Sequence, residues 1–194
     1  MQIPFEGMTL LDYTINASLV LSNIAIRKQD KAGLITFNNG TKTVLKATDR
    51  NAQMYSIMET LYREKTAFLE SDFENLYVNV RRNLSQRSLL VLFTNFEAMY
   101  SMERQLKYLR ALAKSHLLIV VFFENTETQS LIESEANSTE EIYVQTIAEK
   151  FAYEKRQIVQ ELKKYGIFSI LTAPQDLTVN TINKYLELKA RGLL

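Results

Sequence analysis

The chain has 194 residues, of which 46% are hydrophobic and 10% aromatic, and its 23 Lys+Arg against 22 Asp+Glu leave a formal net charge of +1. That composition can build a sizeable core within one domain and excludes a disordered segment. The balanced charge gives no electrostatic drive toward nucleic acid or an anionic membrane. The lack of cysteine and the single histidine, His116, exclude disulfides, thiolate zinc sites, a cysteine nucleophile and multi-histidine metal centres.

Taken in chain order, the start carries neither a basic region nor a cleavable apolar core, so it does not read as a signal peptide. Thr9 is an N-cap for a helix over Leu10–Lys28, with Asp12 in its first turn and Arg27 in its last. Leu11, Ile15, Leu19, Ile24 and Ile26 make that helix largely apolar, as expected of one lying buried against a sheet. Two short strands, Ala32–Phe37 and Thr41–Ala47, flank Asn38-Asn39-Gly40, whose tolerance of positive φ predicts a hairpin.

Asp49 caps a helix through Tyr62 that presents Met54, Ile57, Met58 and Leu61. A short connection ending at Glu70-Ser71-Asp72 leads to a helix with Phe73, Leu76, Tyr77 and Val80. The run Leu89–Phe93, stopped by Thr94-Asn95, has the continuous apolarity of a strand buried on both faces of a parallel sheet and is expected in its interior. A helix over Glu97–Ser115 follows, then His116 at a helix end in a capping or structural position, then the strand Leu117–Phe123.

A polar, acidic stretch over Thr126–Thr139 opens a long helix, about residues 140–165, carrying Val144, Ile147, Phe151, Ile158, Leu162 and Tyr165 at core spacing, with Gly166 as its left-handed stop. Ile167–Leu171 reads as a last buried strand and Asp176–Ala190 as a terminal helix with Val179, Ile182, Tyr185 and Leu186. Small basic clusters at Arg81-Arg82, Lys163-Lys164 and Lys184/Lys189/Arg191 read as solvated helix faces. The longest apolar run, Leu117–Phe123, is far short of the roughly 20 residues that cross a bilayer, so no membrane segment is expected and a cytoplasmic protein is.

Alternating strands and helices predict an α/β domain over residues 1–194, a three-layer, doubly wound, mostly parallel sheet. A buried helix comes first, with no strand before it. In a doubly wound order of 3-2-1-4-5-6 the first strand lies in the middle, so the first central strand is expected to be missing and the domain to be truncated at its N-terminus. Open edges then pair with each other or borrow a strand from a second molecule as a strand-exchanged homodimer.

The glycines at 7, 33, 40, 166 and 192 form neither G-x-G-x-x-G nor G-x-x-x-x-G-K, and G-x-S-x-G is absent, so no phosphate cradle or nucleophile elbow is predicted. Oxygen-rich residues remain at the expected carboxyl edge of the sheet: Glu70, Ser71, Asp72, Thr94, Asn95 and Glu97. Such hydroxyls and carboxylates suit a hard cation such as Mg²⁺. Ser71 or Asp72, and Asn95, are equally good N-caps for the helices that follow them.

The segments Gly7–Tyr13, Asp30–Phe37, Leu90–Asn95 and Asn183–Leu194, in this order of elements, resemble the bacterial domain-of-unknown-function family fifty-eight. Its members are similar to von Willebrand factor A domains, with a Rossmann-like sheet, and are associated with MoxR-type AAA+ ATPases. The resemblance implies a metal-ion-dependent adhesion site whose second loop falls near Ser71 and whose third falls at Thr94 and Asn95. The D-x-S-x-S loop has no counterpart here and Asn95 stands where a carboxylate is expected, so the implied site is degenerate and Mg²⁺ is not an assured cofactor.

The function implied is a non-catalytic, partner-binding adaptor for a MoxR-type ATPase and its client proteins in maturation or assembly, docking through Glu70, Asp72 and Glu97. The competing reading is an Mg²⁺-dependent hydrolase of phosphorylated or nucleotide substrates. A nucleic-acid binder is disfavoured by the charge balance.

Overall fold

Capping chemistry fixes where the first helix begins. The computed structural model describes residues 4–49, 51–64, 71–124, 128, 131–132 and 138–194, and among them two compact units form, one drawn from Met1–Ser88 with Leu177–Leu194, the other from Leu89–Asp176. In the first unit, β1 (Pro4–Phe5) and β2 (Met8–Thr9) pair antiparallel around Glu6 and Gly7, both at positive φ. This short ribbon is absent from the sequence reading, since two-residue strands carry no periodicity. It delivers Thr9 to the start of α1 (Leu10–Arg27) in a full capping box, the Thr9 hydroxyl accepting from the Asp12 amide and the Asp12 carboxylate accepting from the Thr9 amide at 2.8 Å.

β3 (Ala32–Phe37) and β4 (Thr41–Thr48) form the expected hairpin, with register shifts between Ala32 and Leu34 and between Thr36 and Phe37. Gln53, on α2 (Asn51–Tyr62), donates its side-chain amide to Ala32 O at 3.0 Å and Lys46 O at 2.8 Å, tying the open end of the hairpin to that helix. Ala32, Ile57 and Leu61 are buried, and Ile15, Leu19, Leu34 and Leu45 pack on them. Phe73 opens α3 (Phe73–Asn83) and meets Phe37 edge-on, ring centroids 5.7 Å apart.

In the second unit, β5 (Leu89–Phe93), β6 (Leu117–Phe123) and β7 (Phe168–Thr172) form a parallel sheet in the order β5-β6-β7, registered Val91 to Ile119 and Val121 to Ile170. Parallel neighbours need crossovers. These are α4 (Met99–Ser115) and α5 (Thr139–Lys164), which touch each other as well as the sheet. α5 ends at Gly166, whose φ of +70° is the left-handed stop the sequence predicts. The chain then passes through a 3₁₀ turn, Pro174–Asp176, to α6 (Leu177–Ala190), which belongs to the first unit and packs along α1.

The α/β character and the parallel sheet stand as expected, but the interior position of Leu89–Phe93 does not. β6 is the middle strand, all seven of its residues buried, while β5 has a paired neighbour on one side among the described residues. Five apolar residues satisfy an edge strand or an interior one. The longer run at Leu117–Phe123 is the one that fills both faces.

Candidate functional site

The carboxyl ends of parallel strands leave their last polar groups unmatched, and these set the chemistry of the sheet's rim. In the second unit the rim is stitched by the Thr94 amide donating to Val121 O and the Glu124 amide donating to Thr172 O, both at 2.9 Å. Lys155, on α5, donates its ammonium to Phe123 O. Burial pulls the pKa of Lys155 below its ordinary value, against the upward pull of the Glu97 and Glu124 carboxylates. The signal for this residue was in the sequence: a lysine between Phe151 and Ile158 on an otherwise apolar helix stripe. It was passed over.

Asn95 does not cap a helix. α4 begins four residues later, at Met99, and its N-cap Ala98 makes no side-chain cap bond. The physical reason is Phe96, which is buried and lies against Phe122 with ring centroids 6.1 Å apart. That anchor holds the strand exit extended before a helix can turn. Asn95 Oδ1 is buried and accepts no hydrogen bond, and Glu97 stands exposed beside it in sequence.

The other predicted site residues belong to the first unit. Asp72 is the N-cap of α3, its carboxylate accepting from the Asn75 amide at 2.8 Å, so the capping alternative holds there. Ser71 precedes it, half-buried, and Glu70 lies outside the described residues. Among the described residues no group of three or more His, Asp or Glu side chains converges. The carboxylates of Glu97 and Glu124 act on the ammonium of Lys155, a positive charge that a divalent cation at this rim would meet.

A further correction concerns α5. It has 26 residues, about 39 Å of helix at 1.5 Å per residue, against about 23 Å for the seven-residue β6. The excess lies toward its N-terminus, beyond the rim where Lys155 grips Phe123. Ile158 and Leu162, below the rim, are fully buried, whereas Val144, Ile147 and Phe151 on the same stripe are 41%, 37% and 47% exposed, and Tyr143 beside them is 67% exposed. The spacing that predicted a core is genuine, but the sheet is too short to cover it.

Beside the stripe, Leu131 and Val144 with Ser138, Glu140, Glu141 and Gln145 line an open hollow of about 310 Å³. Gln145 donates its amide to Ile132 O at 2.7 Å, and Glu141 closes the capping box of α5 with Ser138. No family model matches the chain, and no curated protein does.

Proposed function

We propose that this chain is a non-catalytic protein-interaction domain, an adaptor acting with a MoxR-type AAA+ ATPase on client proteins during their maturation or assembly, and that it works in the cytoplasm. One observation carries the reading: a contiguous run of exposed aromatic and aliphatic side chains, Tyr143, Val144, Ile147 and Phe151, on a helix that overhangs the carboxyl rim of a parallel sheet. Large apolar side chains clustered in water mark sites where another protein binds. No helix among the described residues is long and apolar enough to cross a membrane.

The kinship to von Willebrand factor A domains, and with it a three-layer arrangement, belongs to the same proposal. Its support is the parallel run β5-β6-β7, in chain order and joined by crossover helices. The overhang of α5 is added to the docking residues Glu70, Asp72 and Glu97.

The experiment is co-purification with the MoxR-type ATPase, comparing the wild-type chain with Ile147→Ser plus Phe151→Ser, two exposed changes that leave the core intact. Recovery of the ATPase by the wild type and its loss in the double variant are expected. Equal recovery removes this surface from the interaction, and no recovery by either removes the ATPase as the partner. Mg²⁺-dependent turnover of a phosphorylated substrate by the purified chain, abolished by Glu97→Gln, would replace the adaptor reading with an enzymatic one.

A further inference from the structure

We propose that the overhanging half of α5 receives a basic amphipathic helix of a partner protein. The inference deepens the interaction-domain reading, on which it rests, by giving the partner a chemistry.

Charge is the first ground. From Glu124 to Glu154 the sequence holds eight carboxylates against Lys150 alone, a net −7 in a chain whose total is +1. Within the overhang, Glu140 and Glu154 fall in line with the apolar stripe and Glu141 beside it, with Glu154 paired to Lys150 at 4.0 Å. Acidic residues at a helix N-terminus complement the helix dipole, which accounts for Glu140 and Glu141 but not for Glu154, beyond the first turn. It accounts for none of the exposed apolar side chains.

Shape is the second ground. Tyr143, Ile147 and Phe151 recur every four residues, with Val144 one turn before Ile147, which is the anchor spacing of one helix against another. The hollow at the N-terminal end of the stripe has apolar walls at Leu131 and Val144 and carboxylates at Glu140 and Glu141. A lysine or arginine entering it buries its aliphatic stem and leaves its charge between the carboxylates.

The same features discriminate against other occupants. Anionic lipid or nucleic acid would be repelled. A second copy, crossing antiparallel about Ile147, would set Glu140 opposite Glu154 at both ends of the contact, since each lies seven residues from the centre. A basic helix meets neither penalty and gains at Glu140 and Glu141.

The test uses two fluorescent synthetic helices of about 18 residues, sharing one leucine face at helical spacing, one with lysine on its polar face and the other with glutamate. Anisotropy titrations with the full chain read binding. The lysine helix is expected to bind and to weaken as salt rises, and the glutamate helix to bind at least about tenfold less tightly. Ile147→Ser plus Phe151→Ser, and separately Glu140→Gln plus Glu154→Gln, each weaken the lysine helix by about tenfold, with circular dichroism confirming an unchanged fold.

Equal binding of both helices, binding unaffected by either double variant, or no binding of the lysine helix overturns the proposal. So does a dimer in light scattering that Phe151→Ser dissociates, which assigns the face to a second copy. If the ATPase is still lost from the Ile147→Ser plus Phe151→Ser variant while the lysine helix is ignored, the adaptor reading stands and the basic helix falls.

Discussion

Asp30 and Lys189, 159 residues apart in sequence, meet as an ion pair at 2.6 Å, and Tyr185 donates its hydroxyl to the same carboxylate. The contact joins the exit of α1 to the last turns of α6, and Lys189 also donates to Lys28 O at 3.3 Å. Gln29 is at a φ of +63°, which turns the chain sharply enough to present Asp30 there. Burial pulls the Asp30 carboxyl upward, but hydrogen bonds from Lys189 and Tyr185 and the charges of Lys189 and Lys28 leave it below its ordinary value of 3.8. Burial, then the bond to Asp30, raises the Tyr185 hydroxyl.

Asp30→Ala is therefore expected to destabilise the chain by about 1–2 kcal/mol in urea denaturation at pH 7, and Tyr185→Phe by about 1. The unfolded carboxyl takes up its proton at about 3.8 and the folded one at lower pH. The contribution is thus complete above 3.8 and lost as pH falls through the lower, folded value. A wild type no more stable than Asp30→Ala at pH 7 would show that the contact only decorates the surface.

His116 closes α4 and enters β6 buried, with Nδ1 unpartnered. Burial lowers its pKa from 6.5. The unfolded chain then binds the proton first, so stability falls as pH drops from about 6.5 through the folded value. As this is the sole histidine, its share of the slope is separable. His116→Phe should flatten stability between pH 7 and pH 5. An identical slope in the variant contradicts the assignment.

Gly33 sits at the bulge of the β3–β4 hairpin, where a Cβ would stand 2.8 Å from Ala47 N and 2.8 Å from Leu45 O. Backbone cannot give way as a side chain can. Gly33→Ala should cost about 1–3 kcal/mol, read as a lowered melting temperature. An unchanged melt would mean that the bulge relaxes freely.

Ile147 and Ile158 lie on one stripe of α5 and differ in cover, 37% against 0% exposed. Ile158→Ala is expected to cost about 2–5 kcal/mol and Ile147→Ala less than about 0.5, by chemical denaturation. Similar costs would show that the overhang is packed after all.

Local signals were the legible ones. Thr9 with Asp12, Asp72 and Gly166 act through neighbours a few residues away, and each does what its type predicts, whereas the Asn38–Gly40 hairpin forms without positive φ at those residues. Lengths matched against partners were not legible. The stripe of α5 carries no mark of where β6 stops, and the apolar run of β5 carries none of whether a second neighbour pairs with it. Asn95 is no cap because the burial of Phe96 against Phe122, across 26 residues, outweighs a capping preference of about 1 kcal/mol. The Asp30–Tyr185–Lys189 contact was hidden for the same reason: Lys189 looks like one of three solvated cations until α6 is laid along α1.

The first unit is assembled from two stretches with all of Leu89–Asp176 made between them. A nascent chain emerging from its amino end must therefore hold α1 unfinished while the intervening unit, contiguous and rich in local crossovers, closes on itself. Until Tyr185 and Leu188 arrive, the flank of α1 that faces α6 has no permanent cover. Damage near the carboxyl end, including a premature stop before Tyr185, should thus be felt first at α1, far upstream in sequence.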